Sequence, residues 1–203
     1  MYRVLAALTT IVVLALFVAP SVAAPLRPGE LGSREAVLAW MNGYRTNRDP
    51  ARVPQAVQAM SQLGIFKDPE NAGAFIGFIA GVIASNPAQA ESLIAKMLPL
   101  PPEDQWAVVQ AIAYSELPGW KNLLRSFSDR LSARRLMIEK YLNGRLPTLD
   151  HAGFSEEPGA FAKLGGYLGL GDDKPKTVAL TPSPALLDVL WGYYCATGEC
   201  EKR

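Results

Sequence analysis

The sequence is poor in the side chains that usually do chemistry. One histidine, His151, and two cysteines, Cys195 and Cys200, are all it holds in 203 residues. An ordinary zinc shell draws its ligands mainly from these two residue types, so no metal and no cofactor is expected. No Gly-x-x-x-x-Gly-Lys run, Gly-x-Ser-x-Gly elbow, His-Glu-x-x-His or Cys-x-x-Cys occurs. A Ser-His-Asp site would need His151 with Asp150, yet adjacent residues rarely face one another and no serine is marked as nucleophile. The glycines of Gly165-Gly166-Tyr167-Leu168-Gly169-Leu170-Gly171 lack the preceding strand and following helix of a phosphate loop. The acidic pairs Glu156-Glu157 and Asp172-Asp173 read as a helix N-terminus and a solvated turn. The expectation is a protein that is not an enzyme.

An excess of either charge is also lacking, with a formal net charge of +1. Long-range attraction to nucleic acid has no support from that total. Apolar runs long enough to span a membrane are missing beyond the N-terminus. There, Arg3 precedes an apolar stretch from Val4 to Ala19, followed by Pro20, Ser21 and small residues up to Ala24. This is the pattern of a secretory leader, 1–23, cut after Ala23, and it predicts a periplasmic or extracellular protein. The alternative is a retained N-terminal anchor, which would be the only contact with a membrane. In an oxidising compartment Cys195 and Cys200 can close a small loop across Ala-Thr-Gly-Glu; free thiols or pairing with a partner chain are the alternatives.

What the chain does have is a set of helical patterns organised around Asn71 to Ser85. Gly73, Gly77 and Gly81 recur every four residues, so on a helix they form one smooth stripe, while Phe75, Ile76, Phe78, Ile79, Val82 and Ile83 cover the rest. Each interior glycine costs a helix roughly 1 kcal/mol relative to alanine, so the stripe predicts close backbone approach by a neighbouring helix. An apolar circumference predicts burial on all sides. The apolar run of about 20 Å is too short for a hydrocarbon core of about 30 Å.

Around it, Ser33 caps a helix with Val37, Trp40, Met41 and Tyr44 on one face, and Asp49-Pro50 opens a second through Val53, Ala56, Val57 and Met60 to Gly64. A fourth helix follows Asn86-Pro87 with Ala90, Leu93, Ile94, Met97 and Leu98. A fifth starts near Pro102 with Glu103 and Asp104 at its positive end and carries Trp106, Val109, Ile112 and Ala113. Pro118 opens a sixth, where Trp120, Leu123, Leu124 and Phe127 face inward. Ser128 or Asp129 opens a seventh, running to Asn143-Gly144. The prolines at helix starts, Pro50, Pro69, Pro87, Pro102 and Pro118, are 19, 18, 15 and 16 residues apart.

Two such steps give a helix-pair period of about 31 to 37, and the rhythm from Ser33 to Gly144 resembles a tetratricopeptide- or HEAT-like array in architecture. The tetratricopeptide consensus of Trp, Leu-Gly and Tyr at fixed offsets is absent. The fold class is therefore all-α, either a helical-hairpin array or an irregular multi-helix bundle. The organisation expected is a helical array over 24–146, a Gly/Pro-rich segment over 147–182 with one short helix, and a C-terminal helix and tail over 183–203. That last helix, with Leu186, Leu187, Leu190, Trp191, Tyr193 and Tyr194, needs an apolar partner.

Two surfaces are candidates for recognition. Lys121 to Arg145 holds seven basic residues, among them Arg125, Arg130, Arg134 and Arg135, against two acidic ones, whereas Asp68 to Gly119 holds six acidic residues against one basic. Either the blocks neutralise each other within the fold, or the basic one meets an anionic envelope component or an acidic partner. Trp191, Tyr193 and Tyr194 form the second, since Trp and Tyr are enriched where proteins bind; core packing is the competing fate for Trp191, and Trp40, Trp106 and Trp120 are expected in the core. The functional expectation is an exported interaction or scaffolding module with an unknown protein partner. The rivals are a binder of an apolar or lipid ligand, held among Phe75, Phe78 and Ile79, and an envelope hydrolase built on His151.

Overall fold

The computed structural model describes residues 30–149 and 184–198. The expected leader, His151, Cys200 and nearly all of the Gly/Pro-rich segment lie outside the described residues. Within them the protein is all-α, with eight α-helices and no strand: α1 (Arg34–Tyr44), α2 (Val53–Gln62), α3 (Gly73–Ser85), α4 (Ala90–Met97), α5 (Gln105–Tyr114), α6 (Trp120–Ser126), α7 (Arg135–Leu142) and α8 (Pro184–Thr197).

Proline punctuates the first half in a regular way. Pro50, Pro69 and Pro87 each open a single turn of 3-10 helix, and the α-helix proper follows within a few residues. Proline lacks the N–H that a first helical turn leaves unpaired and brings φ already near the helical value. Asp68 accordingly caps the 3-10 turn rather than α3: its carboxylate accepts from Asn71 N at 3.4 Å and from Asn71 Nδ2 at 2.6 Å. That pairing, led by the Asn71 side chain, holds the Asp68 carboxyl below its usual range. Ser33 does cap α1, accepting from Ala36 N at 3.2 Å.

The seventh helix begins at Arg135 rather than at Ser128 or Asp129. Buried Leu131 turns back to bond Phe127 O through its N–H at 3.0 Å, and a 3-10 turn over Ser132–Arg134 intervenes. Residues 128–134 thus serve as a connection that seats Leu131 in the core. The helix ends at Leu142, and Gly144 then takes φ +67°, a left-handed conformation that glycine adopts without strain.

The packing is that of an irregular bundle wrapped on α3. Ten of its residues are buried, from Gly73 through Ile83, and α3 meets α8 and α5 more extensively than it meets α2 or α4, its neighbours in sequence. Helices α2 and α4 pack on each other, as do α5 and α6. Phe78 sits at the aromatic centre, edge-on to Trp40 at 5.3 Å and to Tyr44 at 5.0 Å between ring centroids. Such pairs add about 0.5–1.5 kcal/mol beyond the area they bury. No single helix among the described residues is long and apolar enough to cross a membrane; α3 joined to the following helix reaches that length, but the two are bent by 98°.

The contact between α3 and α8 is backbone on backbone. A methyl group placed on Gly77 would lie 1.9 Å from Val189 O, and one on Gly192 would lie 1.8 Å from Ala74 O. At Gly81 it would meet Ala196 Cβ at 2.8 Å and Tyr193 O at 2.9 Å; at Gly73, Ala185 O at 3.0 Å. The glycine stripe is therefore the groove into which α8 settles, and Gly192 supplies the matching gap on the other side.

Two predictions follow from this packing. Gly77→Ala and Gly192→Ala should each lower the unfolding free energy by about 3 kcal/mol, the upper end of the usual range for overpacking. Gly43→Ala, where a methyl group meets nothing within 4 Å, should instead raise it by up to about 1 kcal/mol; urea titration of the three variants checks the contrast. The second concerns alkali. Burial, with the Asp49 charge adding to it, pushes the Tyr44 hydroxyl up to about 12, and burial raises Tyr114 and Tyr141 as well. An unfolded tyrosine ionises near 10, so between pH 10 and 12 the unfolded chain has lost protons that the folded one keeps, and stability falls as pH rises through that window. Tyr44→Phe should flatten the fall, as read by denaturation midpoints from pH 9 to pH 12.

Candidate interaction surfaces

Helix α8 is fixed at its far end as firmly as along its length. Past the end of α1, Arg45 Nη1 donates to the Tyr194 hydroxyl, and its guanidinium lies 5.3 Å from the centre of that ring. Arg48 Nη2 donates to Thr197 O at 2.6 Å, placing a cation on the last carbonyls of α8 where the helix dipole is negative. Cys195 is a buried thiol that points at Asn42 Oδ1, 3.6 Å away, and burial pushes the thiol up. Its expected partner Cys200 lies outside the described residues.

The aromatic group predicted near the C-terminus is divided by helical geometry. Positions two apart on a helix point to different sides, so Tyr193 is buried against α3 while Trp191 is 40% exposed. Tyr194 lies between, held by Arg45. Leu187, at 66% exposure, and Leu190, at 37%, join Trp191 on the outer side. The outer face thus carries apolar groups at i, i+3 and i+4 on a helix whose inner face is already filled. Trp40, Trp106 and Trp120 are partly buried against the core; Trp106 Nε1 donates to Phe66 O at 3.2 Å.

The basic block behaves differently from a set of ion pairs. Arg130 Nη2 donates to Ala95 O at 3.1 Å, near the end of α4, and Arg134 donates through Nε and Nη2 to Pro102 O at 3.2 and 3.0 Å and through Nη2 to Glu103 O at 2.6 Å. Arg125 Nη1 donates to Asn122 Oδ1 at 2.6 Å, within its own helix. Two arginines of the block thus grip backbone carbonyls of the acidic half, where donors are needed at a helix end and in a proline-rich turn. Arg135 is exposed on α7. Among the described residues the salt bridge seen is elsewhere, Arg52 to Glu30 at 2.7 Å.

The three residues expected to hold an apolar ligand are filled in by the core. Phe75, Phe78 and Ile79 are each 0% exposed there, and among the described residues no group of three His, Cys, Asp or Glu side chains is placed to hold a metal.

One polar feature has no counterpart in the sequence reading. Ser61 Oγ donates to Asp104 Oδ2 at 2.5 Å, both residues being buried, in the wall of a cleft of about 350 Å³ lined also by Gln58, Gln62, Lys67, Pro99, Leu100, Pro101 and Glu103. Asp104 Oδ1 is buried without a protein partner. Asp104 stands at the start of α5, as expected, but its carboxylate makes no cap there and turns to α2 instead. A serine bound to a carboxylate with no imidazole between them lacks the base that activates a nucleophile, so the pair reads as a tie between α2 and α5. The signal available was Ser61 on the apolar side of α2, beside Met60.

Ser61→Ala leaves both oxygens of a buried carboxylate without a donor and should lower stability by about 1–3 kcal/mol. Ser92→Ala, on the exposed side of α4, should change it by less than about 0.5 kcal/mol. Chemical denaturation of both variants tests whether the buried pair is structural. Neither known protein families, nor curated proteins, nor solved structures yield a match to this chain.

Proposed function

We propose that this chain is an exported, non-enzymatic interaction protein whose binding face is the outer side of α8. The observation that carries the reading is the exposure of Leu187, Leu190 and Trp191 together on one side of a helix that is locked along its other side. Apolar anchors at i, i+3 and i+4 are the pattern by which a helix is received in the groove of a partner protein. A rigid helix has little conformational freedom left to lose on binding, and tryptophan is the residue most often found to dominate such contacts. Export rests on the N-terminal pattern of Arg3, the apolar run and the small residues before Ala24. It would also provide the oxidising setting in which Cys195 and Cys200 close the end of α8.

The experiment is site-specific photo-cross-linking in the cell that makes the protein. A cross-linker at Leu187 should give a discrete protein adduct, and one at Ser92 should not. Trp191→Ala should weaken the isolated complex by roughly 30-fold, about 2 kcal/mol, with no change in the thermal midpoint. Absence of an adduct at Leu187, or the same adducts from both positions, would sink the proposal.

A further inference from the structure

Helix α7 carries a second face, made of different residues and charge. A cleft of about 340 Å³ is lined by Ala133, Arg134, Leu136, Met137, Lys140 and Leu146. Its lining mixes four apolar side chains with two cations, and Leu136 stands 65% exposed. Arg135, Lys140 and Arg145 are all exposed nearby, and Glu139 is the single acid on the helix. Arg134 is held in place by the carbonyls of Pro102 and Glu103, so its positive charge sits at a fixed position on the edge of the cleft.

A leucine exposed alone on a surface needs no explanation. A leucine that shares a cleft with Arg134 and Lys140 presents two kinds of attraction at one place. Water satisfies the cations but not the leucine, and an acidic soluble group does the same.

We propose that this face of α7 docks the protein on an anionic lipid bilayer. Leu136 enters the boundary between headgroups and acyl chains, and Arg135, Lys140 and Arg145 meet lipid phosphates. Charge complementarity selects an anionic occupant, and the exposed Leu136 favours one with hydrocarbon attached. A bilayer fits better than an acidic protein because stable protein interfaces bury on the order of 1,000 Å² or more with matched shape, whereas a membrane surface needs only a small apolar insertion backed by several cations. The contact is weak and reversible, and it is independent of α8.

The test is sedimentation of the full chain with vesicles of phosphatidylcholine, with and without one-third phosphatidylglycerol, at about 0.1 M salt, where the Debye length is about 10 Å. An apolar N-terminal segment, if retained, contributes to both vesicles, so the difference between them is the quantity read. Wild-type protein should partition more strongly onto the anionic vesicles. Arg135→Gln combined with Lys140→Gln should reduce that difference by roughly 30-fold, about fivefold per cation, and Leu136→Asp should reduce it independently. Trp191→Ala should leave it unchanged. Circular dichroism and thermal midpoints of these surface variants should match the parent. Equal partition onto the two vesicles, or a preference for the anionic one that survives the paired substitution, overturns the proposal.

Discussion

Everything in this structure depends on how closely two helix backbones approach. Where α3 crosses α8 at Gly77 and Gly192, the facing atoms are backbone rather than side chain, and at Gly73 and Gly81 backbone carbonyls and small side-chain groups come equally close. A glycine inside a helix gives up roughly 1 kcal/mol of local preference, and what offsets it is the dense contact that becomes possible when no Cβ stands in the way. With that side closed, the bulky residues of α3 are directed elsewhere: Phe78 toward Trp40 and Tyr44, and the remainder toward α5 and the core. The helix carries no charged side chain, and its neighbours tend its ends: Arg34 donates to Asn71 O just before it, and Asn86 donates back to Val82 O at its end.

How much of this could be read beforehand depended on whether the cause was local. Helix number and most starts followed from proline positions and from apolar spacing, since both act over one or two turns. The start of α7 did not, because Ser128 and Asp129 are good capping residues by type and only the tertiary placement of Leu131 shows that the chain turns again first. Pairwise packing was legible to the extent that composition implied it: a glycine stripe demands a close neighbour, but nothing local names α8 as that neighbour. The exposure of Trp191 was hidden for a related reason. A run of Leu, Trp and Tyr on α8 is apolar almost all round, and which side is covered is decided by Gly192 meeting Ala74, on a helix far away in sequence. The Ser61–Asp104 bond, likewise, joins residues whose types suggest caps or solvent.

The two charged halves of the chain also show that opposite formal charge is a poor guide to pairing. Arg130 and Arg134 cross to the acidic half and bind carbonyl oxygens, although Glu103 is adjacent. A guanidinium presents several donors in a fixed fork, and unpaired carbonyls at a helix end or proline turn need donors more than solvated carboxylates do. The outcome is that these cations act as structural ties while their net positive charge remains undiminished, since no carboxylate is consumed. The fold thereby keeps the segment leading into α7 electropositive and uses the same side chains to hold it in place.

The position of α8 in the chain sets a timetable for assembly. Gly77 and Val189, which touch, are 112 residues apart, so at about 5–20 residues per second a ribosome needs roughly 5–20 s to make the second after the first. During that interval the most apolar of the described helices has an open groove and no occupant. Helix α3 is therefore packed on all sides only once α8 has been made and has settled into the glycine groove.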